Sequence, residues 1–272
     1  MSEGGRPPHA VLVRSPEKFL PTAVASVLAK RAKAPALDFV APVRRAWGLI
    51  AESLEAADAE ALAAELTAAG QTALAAPTSL LETPPPPTQV AKAEFSGDGF
   101  DLVSGRANAA PERLSWTRLA ALCAAGLEER TSKTVTETSP MEMGEKAMRL
   151  GLSMATGIPM MGSKKEVKRV VETKDRALML DLLFLGPARR LRVDARAFDY
   201  SVLGPKMGYG AEVNFHALLE ELAARAPAAL RGKGTRAMMA RRPAGESHYE
   251  SLDDLEREER WLLTLAALRA AL

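Results

Sequence analysis

The chain has 272 residues, of which 47% are hydrophobic and 26% are charged, a composition that suits a globular protein with enough length for two modest hydrophobic cores. Its 36 basic residues nearly balance its 34 acidic residues, so the formal charge of +2 excludes a global attraction to nucleic acid or membranes. A single cysteine, Cys123, excludes an intramolecular disulfide framework and a cysteine-based zinc cluster.

The first third of the chain predicts the order strand, helix, helix, strand, helix, strand. HAVLVRSP alternates like a strand, and Leu20 to Lys33 has helical apolar spacing. DFVAPVRRAW predicts a second helix with Asp38 as its N-cap, and GLIAESL a short extended segment. In ESLEAADAEALAAELTAAGQTALAA, apolar residues at steps of three and four predict the last helix, and QTALAAP predicts the closing strand.

This order, with LEAADAEALAAELTAAGQTALA at its end, resembles the C-terminal domain of the bacterial ribosomal stalk protein and the related ClpS adaptor fold. The resemblance covers about residues 9–77 and implies a small module that binds other proteins. The stalk domain has a glycine-rich, lysine-bearing turn between its first two helices, whereas this chain has KAPALDFVAPVRR. Neither factor binding of the stalk type nor the acidic recognition site of the adaptor is therefore carried over.

Four consecutive prolines, Pro84–Pro87, can neither continue a helix nor donate to a central strand, and they predict a stiff linker between two domains. Seven extended segments follow, over AKAEFS, GFDLVS, LSWTRLAAL, KRVVET, ALMLDLLFL, RRLRVDA and AFDYSV. A helix over FHALLEELAARA, with Asn214 as its N-cap, closes the series. This order resembles a bacterial pleckstrin-homology-like barrel, and two packed antiparallel sheets fit the same pattern.

A long insertion separates the third and fourth of these strands and carries six of the eleven methionines. Flexible methionine side chains suit an adaptable binding surface, whereas a helix through Met148 to Met154 packed on its own domain is the alternative. Within 141–169, apolar GLSMATGIPMMG is followed by lysines, a pattern that is also typical of peripheral attachment to an anionic membrane.

The end of the chain begins as a basic linker and becomes an amphipathic helix capped by Ser251. This helix either packs on its own chain or docks into a groove of a partner. The predicted fold class is α+β with two domains: a ClpS-like βααβαβ module at 9–77, a proline-rich linker at 78–90, a β domain at 91–230 with an insertion at 131–164, a basic linker at 231–250 and a helix at 251–272. The candidate interaction surface comprises Met141, Met143, Met148, Met154, Met160, Met161, Lys164, Lys165, Lys168, Arg169, Leu262 and Leu265.

The sequence contains no recognisable set of catalytic, metal-binding or cofactor-binding residues. His9, His216 and His248 lack the spacing of metal ligands, and Cys123 lies in an apolar run that predicts a buried thiol. The glycine-containing segments GPKMGYG and KGTR lack the strand, loop and helix of a phosphate site and predict turns.

Basic clusters such as SKKEVKR predict a solvated face, and the alternative that the barrel resemblance implies is a loop mouth that binds anionic head groups or acidic peptides. The content of 5% aromatic residues disfavours nucleic acid as a partner. Neither a secretory signal nor an apolar run of about 20 residues is recognisable, which predicts a cytoplasmic location. We therefore predict a non-enzymatic adaptor that binds another protein and needs no cofactor. Binding to an anionic membrane surface through 141–169 is the alternative.

Overall fold

The computed structural model describes residues 7–102, 112–138 and 166–271, with side chains for all of these except 129–138 and 166–175. The fold is mixed α+β, as predicted. The chain divides into two compact units, one formed by Met1–Leu127 together with Ala177–Leu272 and the other by Glu128–Arg176.

The N-terminal elements occur in the predicted order. They are β1 (His9–Val13), α1 (Pro21–Ala32), α2 (Leu37–Ala46), β2 (Leu49–Leu54), α3 (Ala56–Ala68) and β3 (Ala73–Pro77). The strands form an antiparallel sheet with the order β2-β1-β3. Residues 10–13 of the central strand are at most 1% exposed, because both of its faces are covered. The predicted N-cap Asp38 is wrong by two positions, since the helix begins after Ala36.

Eight further strands form two open sheets. They are β4 (Thr88–Gln89), β5 (Ala93–Phe95), β6 (Gly99–Leu102), β7 (Glu112–Ser115), β8 (Leu119–Thr138), β9 (Glu166–Phe184), β10 (Arg189–Asp194) and β11 (Leu230–Arg231). One sheet has the order β11-β8-β9-β10-β4, and the other is the meander β5-β6-β7. The predicted closed barrel is not found in the described parts of the chain, because the two edges of the larger sheet are parallel two-residue strands, β4 and β11, that do not pair with each other.

Three details of the strand prediction differ from the structure. KRVVET and all but the last residue of ALMLDLLFL belong to a single strand, β9. LSWTRLAAL is divided between β7 and β8 by a 3-10 turn at Trp116–Arg118. AFDYSV forms a turn whose last three residues begin the 3-10 segment Tyr200–Lys206 instead of forming a strand. The aromatic rings of Phe198 and Tyr200 pack edge to face at 5.2 Å, and the Tyr200 hydroxyl donates to the Ala195 carbonyl. These contacts bury both rings in a turn, so their apolar character does not indicate a strand.

Three helices complete the chain: α4 (Ala211–Arg225), α5 (Lys233–Met239) and α6 (Leu252–Ala270). Asn214 is not the N-cap of α4 but lies in its first turn, where its side chain accepts a hydrogen bond of 2.7 Å from the Gly208 amide. The cap at Ser251 is confirmed, since its hydroxyl accepts from the Asp254 amide at 3.2 Å. The predicted basic linker 231–250 contains α5, in which Thr235 is fully buried, so this segment is part of the packed fold.

Two hydrophobic cores lie on opposite faces of the larger sheet. Along β8, Leu122 and Ala124 face the core shared with α4, whereas Ala121, Cys123 and Ala125 face the core shared with β1 and α6. This double burial explains the unbroken apolar run LAALCAAGL.

The core on the β1 side contains residues from both sides of the proline run, and all of them belong to one compact unit. The independent folding of 9–77 stays a prediction.

Candidate ligand-binding cleft

Most of the predicted interaction surface cannot be placed. Eight of its members, at 141–161 and 164–165, lie outside the described residues, while Lys168 and Arg169 belong to β9 without described side chains. Leu262 and Leu265 are only 0% and 2% exposed, so their assignment to an exposed surface is wrong. All five residues from 261 to 265 are buried, because α6 is enclosed on several sides rather than on one amphipathic stripe.

A cleft of about 480 Å³ lies where the turn after β1, the end of α2, the start of α5 and α6 meet. Its volume is within the range that binding sites for ligands occupy. The cleft is lined by Pro16, Phe19, Pro21, Arg44, Arg45, Trp47, Lys233, Arg236, Gly245, His248, Glu250, Asp254 and Trp261.

Trp47 forms part of the floor and is held in an unusual backbone conformation. Its φ of 53° and ψ of −134° lie where L-residues are rarely found, at a cost of about 1–3 kcal/mol. The indole Nε1–H donates to Asp254 Oδ1 at 3.0 Å, and the ring lies 5.5 Å from that of Tyr249. The next residue, Gly48, must lack a side chain, since a Cβ there would lie 1.9 Å from the Trp261 ring. These contacts fix the position of Trp47 before any ligand binds.

Lys233 places a cation against this floor. Its ammonium lies 5.7 Å from the centre of the Trp47 ring and 5.4 Å from that of Tyr249. It also donates to the His248 carbonyl oxygen at 3.2 Å. Cation–π contacts of this kind orient a lysine side chain. The Lys233 charge is thus already engaged within the protein.

A buried carboxyl group supports the cleft from below. Glu258 is fully buried, and it accepts hydrogen bonds from the Lys233 amide at 2.7 Å and from the Tyr249 hydroxyl. The same hydroxyl accepts from the Gly234 amide at 3.1 Å. Burial raises the pKa of Glu258 above its ordinary value and raises that of Tyr249 well above its own. This network positions the first residues of α5 and hence Lys233.

Arg44 and Arg45 form the most open cationic part of the rim. Both are exposed, and within the described residues neither side chain has a hydrogen-bond or ion-pair partner. They lie in the last turn of α2, where the partial negative charge of the helix C-terminus favours cations. Two guanidinium groups that line the cleft are therefore available to an anionic ligand.

The charges that line the cleft sum to a positive excess. Four basic side chains, from Arg44, Arg45, Lys233 and Arg236, are opposed by two acidic ones, from Glu250 and Asp254. Asp254 is engaged by the Trp47 indole, whereas Glu250 is exposed at the rim. The cleft thus favours a ligand with negative charge that also offers apolar surface to the rings.

A second cluster of charges is buried away from the cleft. Asp181 accepts from Arg190 Nε at 2.8 Å and from Arg192 Nη2 at 2.6 Å, and Arg190 Nη2 lies 2.9 Å from Glu259 Oε2. Burial, followed by the Asp181 charge, raises the pKa of Glu259 well above its ordinary value. The cluster joins β9, β10 and α6. Because Asp181 and Glu259 are both 0% exposed, it offers no access to a substrate.

The described residues contain few groups suited to catalysis. No three histidine, cysteine, aspartate or glutamate side chains among them are placed to hold a metal ion. The predicted burial of Cys123 is confirmed, and desolvation raises the pKa of its thiol well above the ordinary value, which disfavours the reactive thiolate. Within the same residues, no helix is both long and apolar enough to cross a membrane.

The sequence-based search missed the residues of the cleft. The segment PVRRAWG contains the one local indication of the cleft, since two arginines precede a tryptophan and a glycine at a helix end. KGTR was interpreted as a turn, although its lysine begins α5. Comparisons of the chain with protein-family models, with curated proteins and with solved structures returned no match.

Proposed function

We propose that this protein is a non-enzymatic adaptor that holds a segment of another protein in the cleft beside Trp47. One observation carries the proposal: the cleft joins a preorganised aromatic floor to two arginines without partners among the described residues. Aromatic and arginine side chains are enriched at protein interfaces, where they supply much of the binding energy. The resemblance of 9–77 to the stalk and adaptor domains supports the same class of function.

The distribution of titratable groups also favours binding over catalysis. The groups beneath the cleft with raised pKa values, Glu258 and Tyr249, are 0% and 1% exposed and are bonded to each other. A general acid or base must reach the proton that it transfers. Neither group can do so from beneath the floor, so both act through the positions of Lys233 and Gly234.

Site-specific photocrosslinking in native lysate tests the proposal. A photoreactive phenylalanine analogue is placed at Gly245, which lines the cleft and has no atom within 4 Å of an added Cβ. Gly97 is equally open, lies outside the cleft and serves as the matched control position. We expect a discrete protein adduct from the Gly245 probe and none of the same mass from the Gly97 probe.

Competition then assigns the adduct to the cleft. Excess unlabelled wild-type protein should suppress it, whereas the double variant Arg44→Gln/Arg45→Gln should suppress it much less. Identical adducts from both probe positions, or none from Gly245, would contradict the proposal. Recovery of the protein only with membranes, lost on deletion of 141–162, would instead support the membrane alternative.

A further inference from the structure

We infer that the cleft selects an acidic peptide segment in which carboxylates flank a bulky apolar side chain. This inference rests on the proposed function and narrows it to one ligand chemistry. It depends on which cationic groups of the cleft are already engaged within the protein, on the shape of the cationic groups without partners, and on the apolar walls beside them.

Among the described residues that line the cleft, the basic side chains without a partner are Arg44 and Arg45. Lys233 is engaged by two rings and the His248 carbonyl, and Arg236 Nη1 donates to the Arg231 carbonyl. The two α2 arginines have no such partners within the described part of the chain, and both line the cleft. An anion in the cleft would supply the counter-charge that they lack.

The guanidinium group favours carboxylate as that anion. Its planar fork donates two parallel hydrogen bonds to a carboxylate, which gives orientation as well as attraction. Phosphate can accept the same fork, but it brings nearly two negative charges into a rim that already contains Glu250 and Asp254. Single charges spaced along a peptide meet less repulsion from those two acidic groups.

The walls of the cleft require an apolar group beside the carboxylates. Phe19 is partly exposed there, with its ring 5.5 Å from that of Trp261 in an edge-to-face contact, and the partly exposed Pro21 also lines the cleft. A wholly polar chain would leave these surfaces in contact with water. A bulky apolar side chain between acidic residues would cover them, at roughly 25 cal/mol per Å² of apolar area removed from water.

Glu250 supplies an internal control of opposite sign. It is exposed at the rim, and its side chain has no hydrogen-bond or ion-pair partner in the described part of the chain. Its charge repels an acidic ligand, so removal of that charge should raise the affinity for the peptide. Removal of the arginine charges should lower the affinity, because the arginines attract the same ligand. A purely structural effect of these substitutions would not produce opposite signs.

Fluorescence anisotropy with three labelled synthetic peptides tests the inference on the full-length protein. The first peptide has glutamates around one phenylalanine, the second has glutamine for each glutamate, and the third has alanine for the phenylalanine. We expect the first to bind and each of the others to bind about tenfold more weakly.

Charge variants locate the binding. Arg44→Gln/Arg45→Gln should weaken binding of the first peptide by about tenfold and reduce its salt dependence, whereas Glu250→Gln should strengthen binding by about twofold to threefold. The control Lys30→Gln/Lys92→Gln loses the same charge outside the cleft and should change the affinity by less than about twofold.

The outcomes separate this inference from the function on which it rests. Equal binding of the glutamate and glutamine peptides would overturn the acidic selectivity, while the photocrosslink at Gly245 would still support an adaptor. Displacement of the first peptide by phosphatidylserine vesicles or by a single-stranded oligonucleotide, with dependence on Arg44 and Arg45, would assign the cleft to that ligand instead. Failure of all three peptides together with absence of the Gly245 adduct would contradict both proposals.

Discussion

Gly234 shows how closely α5 approaches β8, because a Cβ at this position would lie 2.0 Å from the Ala124 carbonyl oxygen. The Ala124 carbonyl belongs to the backbone of a paired strand, so it cannot move away from an added methyl group as a flexible side chain can. We expect Gly234→Ala to lower the free energy of unfolding by about 1–3 kcal/mol, measured by urea denaturation. Gly97→Ala is the matched control, since its added methyl group meets no atom within 4 Å, and an equal loss in both variants would contradict this reason.

Glu258 makes stability depend on pH. Its pKa is raised above the ordinary 4.5 because the carboxyl is buried, so the folded state retains a proton that the unfolded state releases. The stabilisation is fully present below about pH 4.5 and is lost as the pH rises toward the folded pKa, at up to about 1.4 kcal/mol per pH unit.

Above about pH 4.5, the free energy of unfolding of the variant Glu258→Gln should therefore fall less steeply with pH than that of wild type, because glutamine stays neutral. Urea midpoints measured across this range check the difference. Glu60→Gln, on the exposed face of α3, is the control and should leave the slope of the wild type unchanged. If Glu258→Gln keeps the wild-type dependence of unfolding free energy on pH, that dependence arises from other groups, such as Glu259.

At the scale of an element, α6 is a core helix rather than a docking helix. Leu262 is fully buried, so Leu262→Ala should lower the free energy of unfolding by about 2–5 kcal/mol. Leu252, in the same helix, is 40% exposed, and Leu252→Ala should cost less than about 1 kcal/mol. Thermal and urea denaturation of the two variants provide the measurement, and similar losses would contradict the burial of α6.

The elements that the sequence predicted are those whose signals are local. α3 has apolar residues at helical spacing, and Ser251 is a cap whose partner lies three residues away. The described residues form no closed barrel, because the edges of the larger sheet are set by parallel pairings between distant residues, such as Leu230 with Ala121. A two-residue strand carries no periodicity, so β4 and β11 have no signature in the sequence.

At the scale of the whole molecule, the two cores should unfold together. β8 contributes alternate residues to both, and the N-terminal sheet is tied to α6 by the Trp261 indole, which donates to the Val13 carbonyl at 2.8 Å. We expect hydrogen exchange in rising urea to expose the amides of β1 and of α4 at the same midpoint. Amides of β1 that remain protected after those of α4 exchange would instead support an independent domain at 9–77.

The cleft could not be predicted because its residues come together only in the folded chain. Trp47 and its partner Asp254 are separated by 207 positions, and Lys233 reaches the same ring from a third segment. The sequence shows no recognisable set of catalytic residues. It also contains no local pattern that links PVRRAWG to α5 or α6. Long-range contacts of this kind decide where charge accumulates, and a single sequence does not record them.

The neighbouring positions of β8 and β9 have an evolutionary consequence. The chain leaves the larger unit after Leu127 and re-enters it at Ala177 on adjacent strands, whose other ends are joined by the Leu185 amide and the Arg118 carbonyl at 2.9 Å. Leu127 and Ala177 lie on neighbouring strands of one sheet, so the pairing of β8 with β9 holds the two crossing points together whatever the length of the segment between them. Lineages could therefore lengthen, shorten or exchange residues 128–176 while every residue that lines the cleft is inherited unchanged.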